Sequence, residues 1–171
     1  MAKLRPGRAY RSMKQPYTRK SKFKEKNYTK FALHTKITQF HSGNMHNTFK
    51  KRVEVISKST LQVRDNALEA ARIVANKYLT DSIGEENFHI QLVSIPHHIL
   101  REHKLATGAG ADRFSAGMQK SFGKPIGLAS QISAGDKVFE IFVNEDHVNE
   151  AKEAADKIKK KLGFKTLALV I

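Results

Sequence analysis

The chain has 171 residues, of which 40% are hydrophobic, and its formal net charge is +15. This length fits one domain with a single core. The absence of cysteine excludes disulfides, thiolate zinc sites and cysteine nucleophiles. The sequence shows neither an apolar run of the roughly 18–20 residues that span a membrane nor a signal-peptide pattern at its start. We therefore expect a soluble, cytoplasmic protein.

The positive charge is concentrated in the first third of the chain. Residues 1–60 hold 16 of the 31 lysines and arginines but two of the 16 acidic residues, so +14 of the net charge lies there. Charge held in one segment opposes compaction and is typical of a chain that binds a polyanion. Nucleic acid is the first candidate partner and an anionic membrane surface the second.

Residues 1–36 are predicted to form a basic, extended arm. They show neither helical nor strand periodicity, and Pro6 and Pro16 favour an extended path. Arginine planes and aromatic rings can stack on unpaired bases, while lysine and arginine neutralise phosphates. The candidate RNA-binding residues are Lys3, Arg5, Arg8, Tyr10, Arg11, Lys14, Tyr17, Arg19, Lys20, Lys22 and Lys24. The alternative is a disordered, solvated tail.

The body, residues 37–171, is predicted to be a single α+β domain. Strands are predicted at 36–40, 52–56, 88–95, 126–132, 138–143 and 165–171. A turn at 42–44 separates the first two strands, and the strands at 126–132 and 138–143 are predicted to pair as a hairpin. The last strand is apolar and β-branched, so we expect it to be buried in the sheet.

Two amphipathic helices are predicted in the body. Apolar residues recur at helical spacing from about Ser59, and Gly84 is placed to end the first helix. The second helix follows Asn144, its predicted N-cap, and ends at Gly163. Four lysines lie in or near its last turn, where the helix dipole favours cations. Contact with RNA is the other role open to them: Lys157, Lys159, Lys160 and Lys161.

A glycine-rich basic loop, residues 104–124, interrupts the body. Loops of this length inside a compact domain are usually functional or disordered. Its glycines allow a close approach of the backbone to a partner, and its cations outnumber its one acidic residue, Asp112. The candidate binding residues are Lys104, Gly108, Gly110, Arg113, Lys120 and Lys124. Neither the dinucleotide pattern G-x-G-x-x-G nor the P-loop pattern is complete here.

The sequence gives little support to catalysis. His97, His98 and His103 lie near Glu102 and Asp112, but they form no H-E-x-x-H zinc motif. Ser115 with Gly117 is half of a G-x-S-x-G elbow, with Arg113 in place of the other glycine. We therefore predict no enzymatic activity, no metal and no cofactor.

Several ordered motifs resemble one family of ribosomal proteins. They are Arg5-Pro6, Tyr10-Arg11, 16–20, 36–40 with Gly43-Asn44, 66–72, 108–113, Gly117-Met118 and 122–125. Together they resemble the large-subunit family called L-ten-e in archaea and eukaryotes and L-sixteen in bacteria, and the length and basic extension resemble the archaeal type. Gln119 and Gln131 depart from the family pattern, which usually has arginine at both positions.

The resemblance implies an α/β-hammerhead-like single domain, with a mixed sheet, two helices and the basic arm. It further implies a non-catalytic protein of the large ribosomal subunit that binds 23S rRNA and neighbouring ribosomal proteins, with 5S rRNA as a further candidate and no membrane partner. The long loop would point toward tRNA and the peptidyl transferase centre, helping to shape the aminoacyl-tRNA site. Two alternatives remain at this point: a non-ribosomal RNA- or DNA-binding module, and an enzyme acting on RNA or nucleotides.

Overall fold

The computed structural model describes residues 5–13, 23–26, 34–119 and 121–171. Within these ranges the strands are β1 (His41–Gly43), β2 (Lys51–Ser57), β3 (Leu61–Arg64), β4 (Phe88–Leu92), β5 (His98–Glu102), β6 (Lys124–Ile132), β7 (Lys137–Val143) and β8 (Thr166–Val170). The α-helices are α1 (Asp65–Ile83), α2 (Ala111–Phe114) and α3 (Val148–Leu162). Short 3-10 turns lie at Gly7–Tyr10, Lys24–Lys26, Glu85–Asn87 and Glu145–His147.

The strands form two sheets. The larger has the order β1-β4-β7-β2-β8 and the smaller the order β3-β6-β5. All pairings among the described strands are antiparallel. The α+β class is confirmed, with two antiparallel sheets where the sequence predicted a single mixed one.

The core lies between the larger sheet and the two long helices, α1 and α3, which pack on each other and on one face of that sheet. In β4, Phe88, Ile90 and Leu92 are buried on this face, as their alternation predicts. Both helices bring small residues to their buried sides, such as Ala71 in α1 and Ala154 in α3, and these permit close approach. Both helices end at glycines with positive φ, as predicted.

The first strand and the starts of both long helices differ from the prediction. The first strand lies at His41–Gly43 instead of 36–40, although Ile37 is buried in the core. The first helix begins at Asp65 instead of near Ser59, because Leu61–Arg64 alternates between buried and half-buried positions and pairs with β6 as a strand. Asn144 precedes a 3-10 turn, and α3 itself begins at Val148.

The predicted hairpin is wrong, although both of its strands exist. β6 pairs with β3 and β5, whereas β7 pairs with β2 and β4, so the two strands belong to different sheets. The connecting turn is fixed on β2, because the Gly135 N–H donates to the Ser57 carbonyl at 2.8 Å and the Ser57 N–H donates to the Asp136 carbonyl at 3.0 Å. This tertiary anchoring carries the chain from one sheet to the other.

The last strand is not buried, contrary to the prediction. β8 lies at the edge of the larger sheet beside β2, and its residues from Leu167 onward are exposed. An apolar composition predicts burial, but it carries no information on whether a strand has one neighbour or two.

Candidate nucleic-acid interface

The arm contacts the body at the turn Gly7–Tyr10. Arg64 Nη1 donates to the Arg5 carbonyl at 2.9 Å, and the Gln62 N–H donates to the Arg11 carbonyl at 2.9 Å. The guanidinium carbons of Arg5 and Arg64 lie 6.0 and 5.8 Å from the centroid of the Tyr10 ring. Tyr10 therefore takes part in holding this turn on β3.

The positive side chains of this turn remain accessible. Arg5, Arg8 and Arg11 are exposed, and Arg11, Arg64 and Lys161 line one cleft between the arm and the body. Three cations around a cleft attract anions such as phosphates. Lys24 begins a 3-10 turn, and the other predicted arm residues lie outside the described ranges: Lys3, Lys14, Tyr17, Arg19, Lys20 and Lys22.

A buried arginine fastens the segment that follows the arm. Arg72 of α1 donates to both carboxylate oxygens of Glu69, at 2.6 and 3.0 Å. It also donates to the hydroxyls of Ser42 at 2.9 Å and Thr38 at 3.0 Å. The Arg72 hydrogen bond is the main reason that the pKa of Glu69 lies below its ordinary value. Part of the sequence motif 66–72 thus builds the fold instead of binding a partner.

The glycine-rich loop has a closed neck between β5 and β6. The Arg101 guanidinium lies 3.4 Å from the centroid of the Phe122 ring and also donates to the Phe122 carbonyl. A ring nitrogen of His103 lies 2.7 Å from the Gly117 carbonyl oxygen. The sequence analysis missed β5, whose Ile99 and Leu100 are buried side by side and do not alternate as in a half-buried strand.

Beyond the neck, the loop exposes a cation and an aromatic ring on one helical turn. Gly108 and Gly110 have φ of 127° and 78°, which L side chains rarely adopt, and they lead into α2. Arg113 is exposed in this turn, and Phe114 is 87% exposed. An arginine beside an exposed aromatic ring can bind a phosphate while the ring stacks on a base.

The other predicted loop cations are less closely grouped. Lys104 is exposed at the start of the loop, and Lys124 is exposed as the first residue of β6, at the neck. Lys120 lies outside the described residues. The structure therefore brings Gly110 and Arg113 together at the tip and leaves Lys124 at the base.

Two cationic side chains of the body form ion pairs within the fold. On the face of the larger sheet opposite the helices, Lys137 donates to Glu54 at 2.6 Å and to Glu140 at 3.0 Å. Arg52 lies 2.8 Å from the same Glu54 oxygen. The hydrogen bond to Glu54 is the largest cause of a raised pKa at Lys137, and the hydrogen bond to Glu140 is the second. These cations neutralise largely buried carboxylates, so a polyanion would compete with Glu54 and Glu140 for them.

The same face carries a row of stacked rings that sequence reasoning missed. The rings of His41 and His89 are stacked with centroids 5.3 Å apart, and Phe142 continues the row at 5.3 Å from His89. Burial is the main cause of a lowered pKa at His89, and electrostatic repulsion from the neighbouring His41 is the second cause. The alternation in β4 and β7 places these residues on one face, but only the strand pairing brings them together.

The described residues give no support to metal chemistry or to a membrane span. Across these ranges, no cluster of three or more histidines and carboxylates is arranged to hold a metal ion. Burial lowers the pKa of His98, with smaller contributions from His97 and Arg101. Among the described helices, none is both long and apolar enough to cross a bilayer.

Comparison with known proteins identifies the class. The family described as "Ribosomal protein L16p/L10e" matches residues 13–169. The chain therefore belongs to this family of large-subunit ribosomal proteins, as the ordered motifs indicate.

Archaeal relatives extend the match over nearly the whole chain. The "Large ribosomal subunit protein uL16" of Archaeoglobus fulgidus is 41% identical over 97% of this chain and 92% of its own length. The protein of the same name from Staphylothermus marinus is 42% identical over 93% and 88%, and that from Thermoplasma volcanium is 41% identical over 92% and 87%. The chain is thus of the archaeal type.

Proposed function

We propose that this structural constituent of the large ribosomal subunit binds rRNA through its arm and presents residues 104–124 to tRNA. The observation that carries the proposal is the division of charge and exposure. Residues 1–36 hold 12 lysines and arginines and one glutamate, a net charge of +11, whereas the body holds a loop with a closed neck and an exposed Arg113–Phe114 tip. The two parts therefore suit two tasks.

The arm suits the binding of 23S rRNA. Its exposed arginines neutralise phosphates and release counterions, so affinity comes from contacts that do not depend on sequence. The turn Gly7–Tyr10 is held on β3, which fixes where the arm leaves the body. We propose the boundary between arm and body at residues 36 and 37, because Ile37 is the first described residue that is buried in the core.

The loop suits contact with tRNA bound beside the peptidyl transferase centre, at the aminoacyl-tRNA site. Its closed neck holds the base, while its tip offers a cation and a ring to a backbone phosphate and a base. The protein would thereby fix geometry in the cytoplasmic ribosome and perform no chemistry itself. Neighbouring ribosomal proteins and 5S rRNA complete the proposed set of partners.

Two matched triple variants test the arm. Replacing Arg5, Arg8 and Arg11 with glutamine removes three exposed charges from the arm, and replacing Lys152, Lys159 and Lys160 with glutamine removes three exposed charges from α3, away from the cleft. Each lost phosphate contact lowers the salt slope by about 0.7–0.9. For large-subunit rRNA, we expect a slope lower by roughly 2–3 in the arm variant and a smaller change in the α3 variant. Equal changes would contradict the specific role of the arm.

Substitutions at the loop tip test contact with tRNA. Arg113→Ala should leave the free energy of unfolding within about 0.5 kcal/mol, because the residue is exposed. In assembled ribosomes it should weaken tRNA binding by about tenfold or more, since hydrogen bonds to charged groups contribute about 1.5–3 kcal/mol. Asp112→Ala on the same turn is the control. If Arg113→Ala binds tRNA normally or fails to enter subunits, the proposed role of the loop is wrong.

A further inference from the structure

The outer edge of β8 has the geometry of an incomplete sheet. β8 pairs with β2, and among the described residues no strand lies on its other side. Arg52 and Ile171 exchange backbone hydrogen bonds of 2.9 and 2.8 Å, which sets the alternation along the strand. Leu167 and Leu169 therefore direct their backbone groups toward β2. Ala168 and Val170 direct theirs outward.

The side chains of this edge are apolar and exposed. Leu167 and Leu169 are each 40% exposed, Val170 is 42% exposed and Ile171 is 55% exposed. From Thr166 to Ile171 the chain has no charged side chain and no proline. Natural edge strands are usually protected by charges, prolines or bulges, because an unprotected edge pairs with other chains. The segment shows none of these side-chain protections, which indicates that the edge is covered when the protein is in place.

The chemistry of the edge selects a polypeptide as its occupant. Outward N–H and C=O groups at alternate positions match those of another extended backbone, whose apolar side chains would cover Leu169 and Val170. RNA phosphates need cations, and none lies between Thr166 and Ile171. A second copy of this chain would bring together two molecules of charge +15, which repel each other.

We propose that β8 accepts an extended apolar segment of another large-subunit protein as a sixth strand of the larger sheet. The added segment would pair with the outward groups of Ala168 and Val170, over about five residues. This proposal rests on the proposed placement of the protein among neighbouring ribosomal proteins, and it is independent of the roles of the arm and the loop.

Amide exchange in the unsubstituted protein gives a direct test. The outward N–H groups of Ala168 and Val170 should exchange about tenfold or more slowly in assembled subunits than in the free protein, because a sixth strand would hydrogen-bond them. The inward N–H of Leu169 is bonded to β2 in both states, so it should change less. Unchanged exchange at Ala168 and Val170 would overturn the proposal.

Cross-linking identifies the occupant. The chain has no cysteine, so Leu169→Cys carries a single photoreactive label, and Lys152→Cys on the exposed side of α3 is the control. In subunits, the label at 169 should cross-link to an apolar extended segment of a neighbouring protein, identified by mass spectrometry. A cross-link to rRNA, to this chain's own arm, to a second copy or to nothing would overturn the proposal. Failure of the protein to enter subunits would instead contradict the proposed function.

A proline variant links the cross-link to strand addition. Ala168→Pro removes an outward N–H and keeps the inward bonds to β2, a position where edge strands tolerate proline. Thermal unfolding of the free variant checks its fold. Ala168→Pro should lose the cross-link at residue 169, whereas Ala168→Val, which keeps the N–H, should retain it. Retention in a folded Ala168→Pro variant would contradict pairing through the backbone.

Discussion

Arg72 should be among the most sensitive polar positions of the body. Arg72→Met retains an unbranched side chain similar to the aliphatic part of arginine, but it removes the guanidinium that joins α1 to residues 38–42. The Arg72 and Glu69 side chains are 8% and 12% exposed, and the substitution leaves the Glu69 carboxylate without its arginine partner. Breaking a buried pair in this way costs about 3–5 kcal/mol.

The lower end of that range applies here, because Glu69 retains some exposure and its partner Thr38 lies at the surface. We therefore expect a loss of about 3 kcal/mol in the free energy of unfolding. A protein of this size loses about 2–4 °C in Tm for each kcal/mol, so Tm should fall by roughly 6–12 °C. Urea and thermal unfolding of the free protein measure both quantities.

Glu69→Gln in the Arg72→Met background is the informative control. Replacing the unpaired carboxylate with a neutral amide should recover part of the lost stability, because the main penalty is an uncompensated charge. The pKa of Glu69 is lowered in the fold, so its contribution is present above its ordinary value of 4.5 and is lost as pH falls through the lowered pKa. A loss below about 1 kcal/mol in Arg72→Met, or no recovery in the double variant, would refute this reasoning.

Two further predictions concern the stacked rings and the loop neck. His41 Nδ1 and His89 Nε2 lie 3.1 Å apart, and the pKa of His89 is lowered in the fold. The contribution of His89 to stability should therefore be present above its ordinary pKa of 6.5 and be lost as pH falls through the folded value. Between pH 7.5 and 5.5, the free energy of unfolding measured in urea should fall less in His89→Gln than in the unsubstituted protein. An identical fall in both proteins would contradict this. At the neck, a Cβ on Gly123 would lie 2.8 Å from the Glu102 carbonyl carbon, whereas one on Gly117 would meet nothing within 4 Å. Both glycines have positive φ, so the backbone strain of an alanine is common to the two positions and the steric contact differs. Gly123→Ala should therefore lower the free energy of unfolding by about 1–3 kcal/mol more than Gly117→Ala. Equal losses in unfolding experiments would show that the backbone at the neck can move to accommodate the added Cβ.

Local patterns were sufficient for most helices and strands. Helical spacing predicts α1 and α3 with their terminating glycines, Gly84 and Gly163, and alternation in β4 predicts its buried face. Pairing was not predictable in the same way, because it depends on contacts distant in sequence. The Gly135–Ser57 hydrogen bond that separates β6 from β7 joins residues 78 positions apart and leaves no local pattern.

The candidate site was likewise predictable in part. Clustered charge indicated the arm, and glycine with arginine indicated the loop. The closure of the neck by Arg101 and Phe122 could not be predicted, since it requires β5 to pair with β6. The role of Arg72 was also hidden, because a helix sequence does not indicate that a guanidinium turns inward to meet Ser42 and Glu69.

Tethered cleavage tests most directly whether the loop faces tRNA. Because the chain has no cysteine, Ala109→Cys in the loop and Asp156→Cys on α3 each give one attachment point for a hydroxyl-radical probe, and both positions are exposed. In ribosomes with bound tRNA, the probe at residue 109 should cleave the tRNA, and the probe at residue 156 should cleave rRNA alone. Cleavage confined to rRNA from residue 109 would contradict the account.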